Sequence, residues 1–269
     1  MPIRTWGHLT TVDVAALDPA RAIAVLPVGA IEQHGPHLPL ATDILISEGI
    51  LAAAAERVAP DIDLIRLPSQ SVGLSPEHMN FAGTLSHEAE TLLASWTEIG
   101  LSIAAAGLRK MIILNSHGGQ PQIVDLAVQR LRSEAGMLAV RANSFRFDLP
   151  PNLVAEDERS FGLHGGQIET ALMLTLHPDL VRQDQITDFP NKAAAHARTA
   201  RRLGLSGTGG YAWNAEDLNP EGATGNASLA TAEQGTTLLT AYAAQFAELI
   251  SDVADWPVKD GKIVGHGHD

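Results

Sequence analysis

The sequence predicts an α/β fold built on a mostly parallel sheet. Short continuous apolar runs, such as Ala22-Ile23-Ala24-Val25-Leu26 and Met111-Ile112-Ile113-Leu114, read as strands buried on both faces. Helical patterns separate one such run from the next. Polar, glycine- and histidine-rich loops follow several of these runs, and the carboxyl ends of strands are where open α/β sheets place their chemistry.

The elements follow in order. A strand at about 22–28 leads into a long loop and an Ala/Leu-rich helix at about 44–58, which Asp43 is placed to cap. A strand at about 62–67 and a second loop precede a helix at about 87–106, with Ser86 as its expected cap and Glu88 and Glu90 in its first turn. The strand at about 110–115 runs into a helix at about 120–135, whose expected apolar face is Ile123, Leu126, Ala127 and Leu131. A strand from Met137 to Arg141 comes next. Residues about 143–166 read as loop, with the breakers Asp148-Leu149-Pro150-Pro151-Asn152 and the charges Asp157-Glu158-Arg159. A loop of that length is expected to serve as a lid or a subunit contact. Helix returns at about 167–176, followed by a strand at Leu180-Val181 or a short edge thereafter. Residues about 204–229 are Gly-rich and irregular, and a last helix covers about 230–253. We expect one domain over 1–269, with a Gly/His tail from about 257 that tends to disorder.

Composition excludes several classes. There is no cysteine among the 269 residues, so neither disulfides nor thiolate-bound zinc enter. Eighteen basic against 31 acidic residues give a formal charge of −13, which argues against nucleic-acid and anionic-membrane partners. No apolar run is long enough to span a bilayer and no basic-plus-apolar leader opens the chain, so the expected location is the cytoplasm.

The loop after the first strand is the densest in chemistry. Glu32-Gln33-His34-Gly35-Pro36-His37-Leu38-Pro39-Leu40-Ala41-Thr42-Asp43 puts two carboxylates and two imidazoles on a backbone stiffened by glycine and proline. Glu32 and His34, two apart, point the same way on an extended chain. Converging carboxylates and imidazole make an O/N ligand set suited to Zn, Mn or Fe. The plainer reading makes Gln33 and His34 turn residues and Asp43 a helix cap. Three further loops favour the richer one: Asn115-Ser116-His117-Gly118-Gly119, His164-Gly165-Gly166-Gln167-Ile168-Glu169-Thr170, and Ser75-Pro76-Glu77-His78-Met79-Asn80-Phe81-Ala82-Gly83-Thr84. Five of the 11 histidines (His34, His37, His78, His117 and His164) fall in these four loops. Glu77 and His78 read either as a substrate clamp or as a loop ion pair. His37, between prolines, reads as supporting or structural at least as readily as a ligand. His196, in a helical stretch, reads as exposed.

The first of these segments, the Asn-x-His-Gly-Gly turn, the His-Gly-Gly-x-x-Glu-Thr segment, the Ser75–Thr84 loop and Gly222-Ala223-Thr224-Gly225-Asn226-Ala227 together resemble the creatininase (creatinine amidohydrolase) family, from about residue 22 to about residue 240. The resemblance implies a three-layer α/β/α fold, often hexameric, with two divalent metal ions per subunit hydrolysing amide bonds. It matches Glu32, His34, Asp43 and His117 to metal ligands, with Asp43 as the bridge. Creatininase carries an aromatic residue and a metal-binding Glu after its histidine turn, where Gly118 and Gly119 stand here. Glu169 is the candidate replacement ligand, and creatinine is a doubtful substrate. The aromatic box that grips creatinine also lacks an equivalent: of four tryptophans only Trp213 is loop-placed.

The expected function is metal-dependent hydrolysis of a small non-peptide amide, cyclic or formyl, with His164 giving a proton to the leaving amine and Glu169 as ligand or acid/base. Glu77, His78, Trp213 and the Gly118 and Gly119 amides are the expected substrate contacts. The alternatives are a peptidase that trims a short peptide in cofactor maturation, and a metal-binding relative with little catalysis. A homo-oligomer, hexameric by family habit, is expected.

Overall fold

The computed structural model describes residues 3–205, 208–259 and 262–263. Its centre is five strands, β1 (Arg4–Thr5), β2 (Ala22–Val28), β3 (Asp63–Arg66), β4 (Lys110–Asn115) and β5 (Leu138–Asn143), ordered β1-β3-β2-β4-β5. Every pairing is parallel. The helices are α1 (Thr11–Ala15), α2 (Thr42–Ala55), α3 (Ala89–Ala105), α4 (Pro121–Ala135), α5 (Glu156–Phe161), α6 (Gln167–Leu176), α7 (Ala193–Ala197), α8 (Ala215–Leu218) and α9 (Ala232–Asp255).

Alternation along the buried strands sorts two cores. Ile23, Val25, Ile112 and Leu114 pack with α2, α6 and α9, whereas Ala24, Leu26, Val28, Met111 and Ile113 pack with α3 and α4. The result is the expected α/β/α sandwich. Chain order steps from β2 to β3 on one side and then crosses to β4 on the other. The crevice beyond Val28 and Asn115, which are opposite in register, is therefore the switch point of the sheet.

At the other end of the sheet, Lys110 is wholly buried and donates from Nζ to the carbonyls of Ala20 (2.7 Å) and Ala254 (2.6 Å). The second carbonyl is in the last turn of α9, where the helix dipole favours a cation. Helix ends use ordinary devices: Thr231 and Gln234 form a capping box on α9, while α4 opens on Pro121 and closes on Gly136 at φ +64°.

Several expectations are corrected. Asp43 does not cap α2; Ala41 holds that position and Asp43 lies in the first turn with its carboxylate turned to the sheet end. Ser86 does not cap α3, because its hydroxyl accepts from Ser75 N and donates to the His87 carbonyl, leaving Glu88 at the cap position. Leu126 is 46% exposed, and Val124 takes its place on the buried face of α4, since the 100° step sets 123, 124, 127 and 131 together. Leu180 closes a 3₁₀ turn opened by Pro178 rather than a strand. The short edge comes thereafter, where Asp188–Phe189 pairs with Gly225–Asn226. The stretch about 143–166 holds a 3₁₀ turn, Ser144–Arg146, and α5. His196 is exposed as expected; most of the Gly/His tail, with His266 and His268, lies outside the described residues. Among the described residues no helix is long and apolar enough to cross a membrane.

The approach of α9 to α6 matters for function because α6 carries Glu169. Gly235 permits it: a Cβ there would collide with the Ala171 carbonyl and with Thr175 Oγ1. Gly235→Ala gains about 1 kcal/mol of helix propensity but forces an overpacking cost of about 1–3 kcal/mol or more, because a backbone carbonyl cannot swing aside. We expect a net loss of stability, seen as a lower urea midpoint with unchanged slope; a raised midpoint would show that the two helices separate freely.

Candidate metal centre

The site is built by the loops that leave β2, β3 and β4 and by the start of α6. Glu32 and His34 follow β2 with both side chains wholly buried, Asp43 enters from the first turn of α2, and His117 follows β4. Glu169 reaches in from the first turn of α6, where its Oε2 accepts from Gly165 N at 2.6 Å.

Backbone carbonyls fix which nitrogen of each imidazole faces the carboxylates. His34 donates Nδ1–H to the Glu32 carbonyl (3.0 Å), leaving Nε2 toward Asp43 Oδ1 (3.1 Å) and Glu169 Oε2 (3.9 Å). His117 donates Nε2–H to the Leu74 carbonyl (2.7 Å), leaving Nδ1 toward Asp43 Oδ2 and Glu32 Oε1, both at 3.2 Å. His164 donates Nε2–H to the Gln33 carbonyl (2.5 Å), and its Nδ1 is 3.6 Å from Glu32 Oε1. His78 is fixed the opposite way. Gln33 accepts from Gly35 N through Oε1, so its Nε2 is the donor to His78 Nδ1 (2.7 Å), and the His78 Nε2–H faces Glu32 Oε1 (3.5 Å). His78 thus turns its Nε2–H toward Glu32 without a hydrogen bond to it.

Two donor sets share Asp43: Glu32, Asp43 and His117, and His34, Asp43 and Glu169, each with atoms within 4.8 Å of one another. Glu32, His34 and His164 form a third cluster of the same span. Both Glu32 oxygens and Asp43 Oδ2 are buried without a hydrogen-bond partner, which is costly for a carboxylate unless a cation balances it. The donors present therefore fit a metal: carboxylate oxygen and imidazole nitrogen, freed on the side where they converge.

Electrostatics agree. Burial works to lower the His34 pKa, but Asp43, by charge and hydrogen bond, and then Glu169 and Glu32 raise it to about 9. His117 is likewise raised well above its ordinary value against burial, chiefly by Glu32 and Asp43. Burial opposes ionisation of Asp43, yet His34 and His117 hold its carboxyl below the usual range. Burial, with Asp43 and Glu32 nearby, pushes Glu169 up to about 7. His164, stacked between His34 (ring centroids 4.1 Å) and His78 (4.2 Å), is driven well below its ordinary value by burial and by those neighbours.

A family model described as Creatininase: Creatinine amidohydrolase matches residues 7–250. The chain belongs to the creatininase family. It is 30% identical over 266 residues to a mycofactocin precursor peptide peptidase of Mycobacterium ulcerans (strain Agy99), covering 96% of this chain and 95% of that protein. It is 32% identical over 203 residues to a creatinine amidohydrolase of Pseudomonas putida, covering 69% and 75% respectively. A solved creatininase variant of Zn-Zn type superposes with a TM-score of 0.73 at 27% identity, over 92% of this chain and 97% of that one. This creatininase-family chain is a hydrolase, with donor groups for metal where the fold places them.

The sequence-predicted donors Glu32, His34, Asp43, His117 and Glu169 meet at one point. His78 joins them behind Glu32 rather than pairing with Glu77. The Glu77 carboxylate lies against Gly119, where any Cβ would collide with it and with His117 Nε2, and burial raises its pKa. Gly118 is exposed. Trp213 stands half-buried before α8, which reaches the Ser75–Thr84 loop through a hydrogen bond from Asn80 Nδ2 to Glu216; Trp213 is not part of the ligand clusters. His37 is structural: it is buried, bonded through Nε2 to Thr170 Oγ1 (2.9 Å) and stacked on Phe189. Gln33, read from sequence as a turn residue, is the hub that sets His78 and His164.

Because His34 and His117 hold protons that a cation must displace, metal binding should release protons. With His34 at about 9, its protonated form dominates below that pH, so affinity should rise as pH rises toward 9. Zinc titrations at neutral pH in buffers of different ionisation enthalpy should show release of about one to two protons per chain; enthalpies independent of buffer would refute these protonation states.

Proposed function

We propose that this chain is a two-ion metallohydrolase of amide bonds, with zinc, manganese or iron at the centre. The observation that carries the reading is Asp43, whose Oδ1 faces His34 and whose Oδ2 faces His117, so that one carboxylate spans two donor sets. Bound divalent ions supply a water of lowered pKa and polarise the amide carbonyl. His164, neutral with Nδ1 open, takes a proton from the attacking water and returns it to the leaving nitrogen. This refines the donor role expected from sequence, because an imidazole so far depressed carries no spare proton at the start of a cycle. Glu32, faced by His78, and Glu169, tethered to Gly165 N, hold the two flanks of the centre. Gly118, exposed beside His117, leaves space for the carbonyl to approach.

The substrate reading we favour is a short peptide. The likeness to a peptidase over 96% of the chain supports it. So do the exposed side chains of Leu40, Met79, Leu85 and Leu163, set in the site-bearing loops, which give an extended substrate apolar footing. A small cyclic amide or formamide is the second reading, supported by the likeness to a creatinine amidohydrolase. Creatinine itself is the less favoured small amide, since Trp96 is wholly buried in the core and offers no face to a ring.

Turnover on short peptides, cyclic amides and formamides with zinc or manganese is the test. Cleaved peptides with inert small amides support the first reading, and the reverse supports the second. No turnover by fully metallated protein on any of them contradicts both. On an active substrate, His164→Gln should lose roughly 10²–10⁴-fold in kcat with metal retained, and less where the leaving group is better. An equal loss for good and poor leaving groups would count against proton transfer by His164.

A further inference from the structure

Glu158, on α5, is buried at 6% exposure although the sequence shows it only as one charge in a charged loop. Its Oε1 accepts from Gln167 N at 2.7 Å and its Oε2 from Asn226 N at 2.8 Å. Gly162, Gly166 and Gly225, from three different segments, surround the carboxylate. A Cβ at any of them would collide with Oε1. This is a cradle shaped for one carboxylate, and among the described residues no cation pairs with it. Its charge is held by two backbone amides, Asn226 N and Gln167 N, the second at the N-terminus of α6, where helix geometry favours an anion.

The cradle grips both sides of the turn that carries the site. On one side it holds Gln167, two residues before Glu169. On the other it holds Gly225-Asn226, and the neighbouring Thr224 straps the turn, donating N–H to the His164 carbonyl (2.7 Å) and accepting from Leu163 N through Oγ1 (3.1 Å). Among the described residues Glu158 makes no hydrogen bond or ion pair with a donor atom, or with the loops that carry Glu32 and His117.

We propose that Glu158 is a positioning residue chiefly for one half of the centre: it holds the His164–Glu169 turn so that Glu169 completes the set with His34 and Asp43, whereas the Glu32, Asp43 and His117 set meets that turn only through His164, whose Nδ1 is 3.6 Å from Glu32 Oε1. The inference rests on the two-ion reading above. Glu158→Gln keeps the shape but turns an amide N–H₂ toward a backbone N–H that needs an acceptor.

Zinc and manganese titrations of wild type and Glu158→Gln, with the fold checked by circular dichroism, test it. One of the two binding steps should weaken by roughly 10–100-fold, the usual effect of removing a group that orients a ligand, while the other weakens far less. In a Glu169→Gln background the same substitution should add nothing to the step that Glu169 serves, since that half is already broken. Equal weakening of both steps, no weakening, or full additivity with Glu169→Gln would overturn the proposal. A wild type that takes up fewer than two ions overturns the two-ion reading and this inference with it. Should Glu158→Gln not fold, Glu158→Asp, which keeps the charge on a shorter arm, is read by the same titrations and the same criteria.

Discussion

The structure depends on one carboxylate held between two histidines. Asp43 is 2% exposed, and its two oxygens face different imidazoles. Glu32 and Glu169 flank it, and no lysine or arginine reaches the group among the described ion pairs. Three carboxylates at the end of a buried sheet are expensive to keep charged, each costing several kcal/mol before pairing. Two raised histidines offset part of that cost, and a divalent cation would offset far more. The site is therefore tuned to bind positive charge, and its protonation states are what a metal must displace.

The second constraint is directional. Each imidazole has two nitrogens, and the fold commits one of them elsewhere. Carbonyls of Glu32, Leu74 and Gln33 take the N–H of His34, His117 and His164, and the Gln33 amide sets His78 the other way. Those carbonyls lie on loops leaving the sheet, so ligand orientation follows from the strand order that brings β2 beside β4. Rigid elements supply the precision: α2 delivers Asp43 and α6 delivers Glu169, both from their first turns.

Much of this was legible in the sequence. Apolar runs marked β2 and β4 because both are buried on both faces, and the polar loops after them marked the site because strand ends are where such sheets place chemistry. Glu32, His34, Asp43 and His117 stood out by local pattern, and Glu169 by the turn before it. What escaped was tertiary. Asp43 reads as a cap as well as a ligand, and only the tertiary course of the chain puts Ala41 at the cap position instead. The tautomer of His78 depends on which way the Gln33 amide points, and Gln33 is fixed by Gly35 and Gly222. Glu158 carries no motif, because its partners are amides 9 and 68 residues away. Leu126 misled because helical spacing gives a face only to within a residue.

The central claim is that Asp43 bridges two ions, one held with Glu32 and His117 and the other with His34 and Glu169. Crystals grown with zinc and measured across the zinc absorption edge test it most directly. Two anomalous peaks roughly 3.5–4 Å apart, the spacing of two-metal hydrolytic centres, are expected, one on either side of the Asp43 carboxylate. A single peak, or two peaks of which one lies away from Asp43, would contradict it.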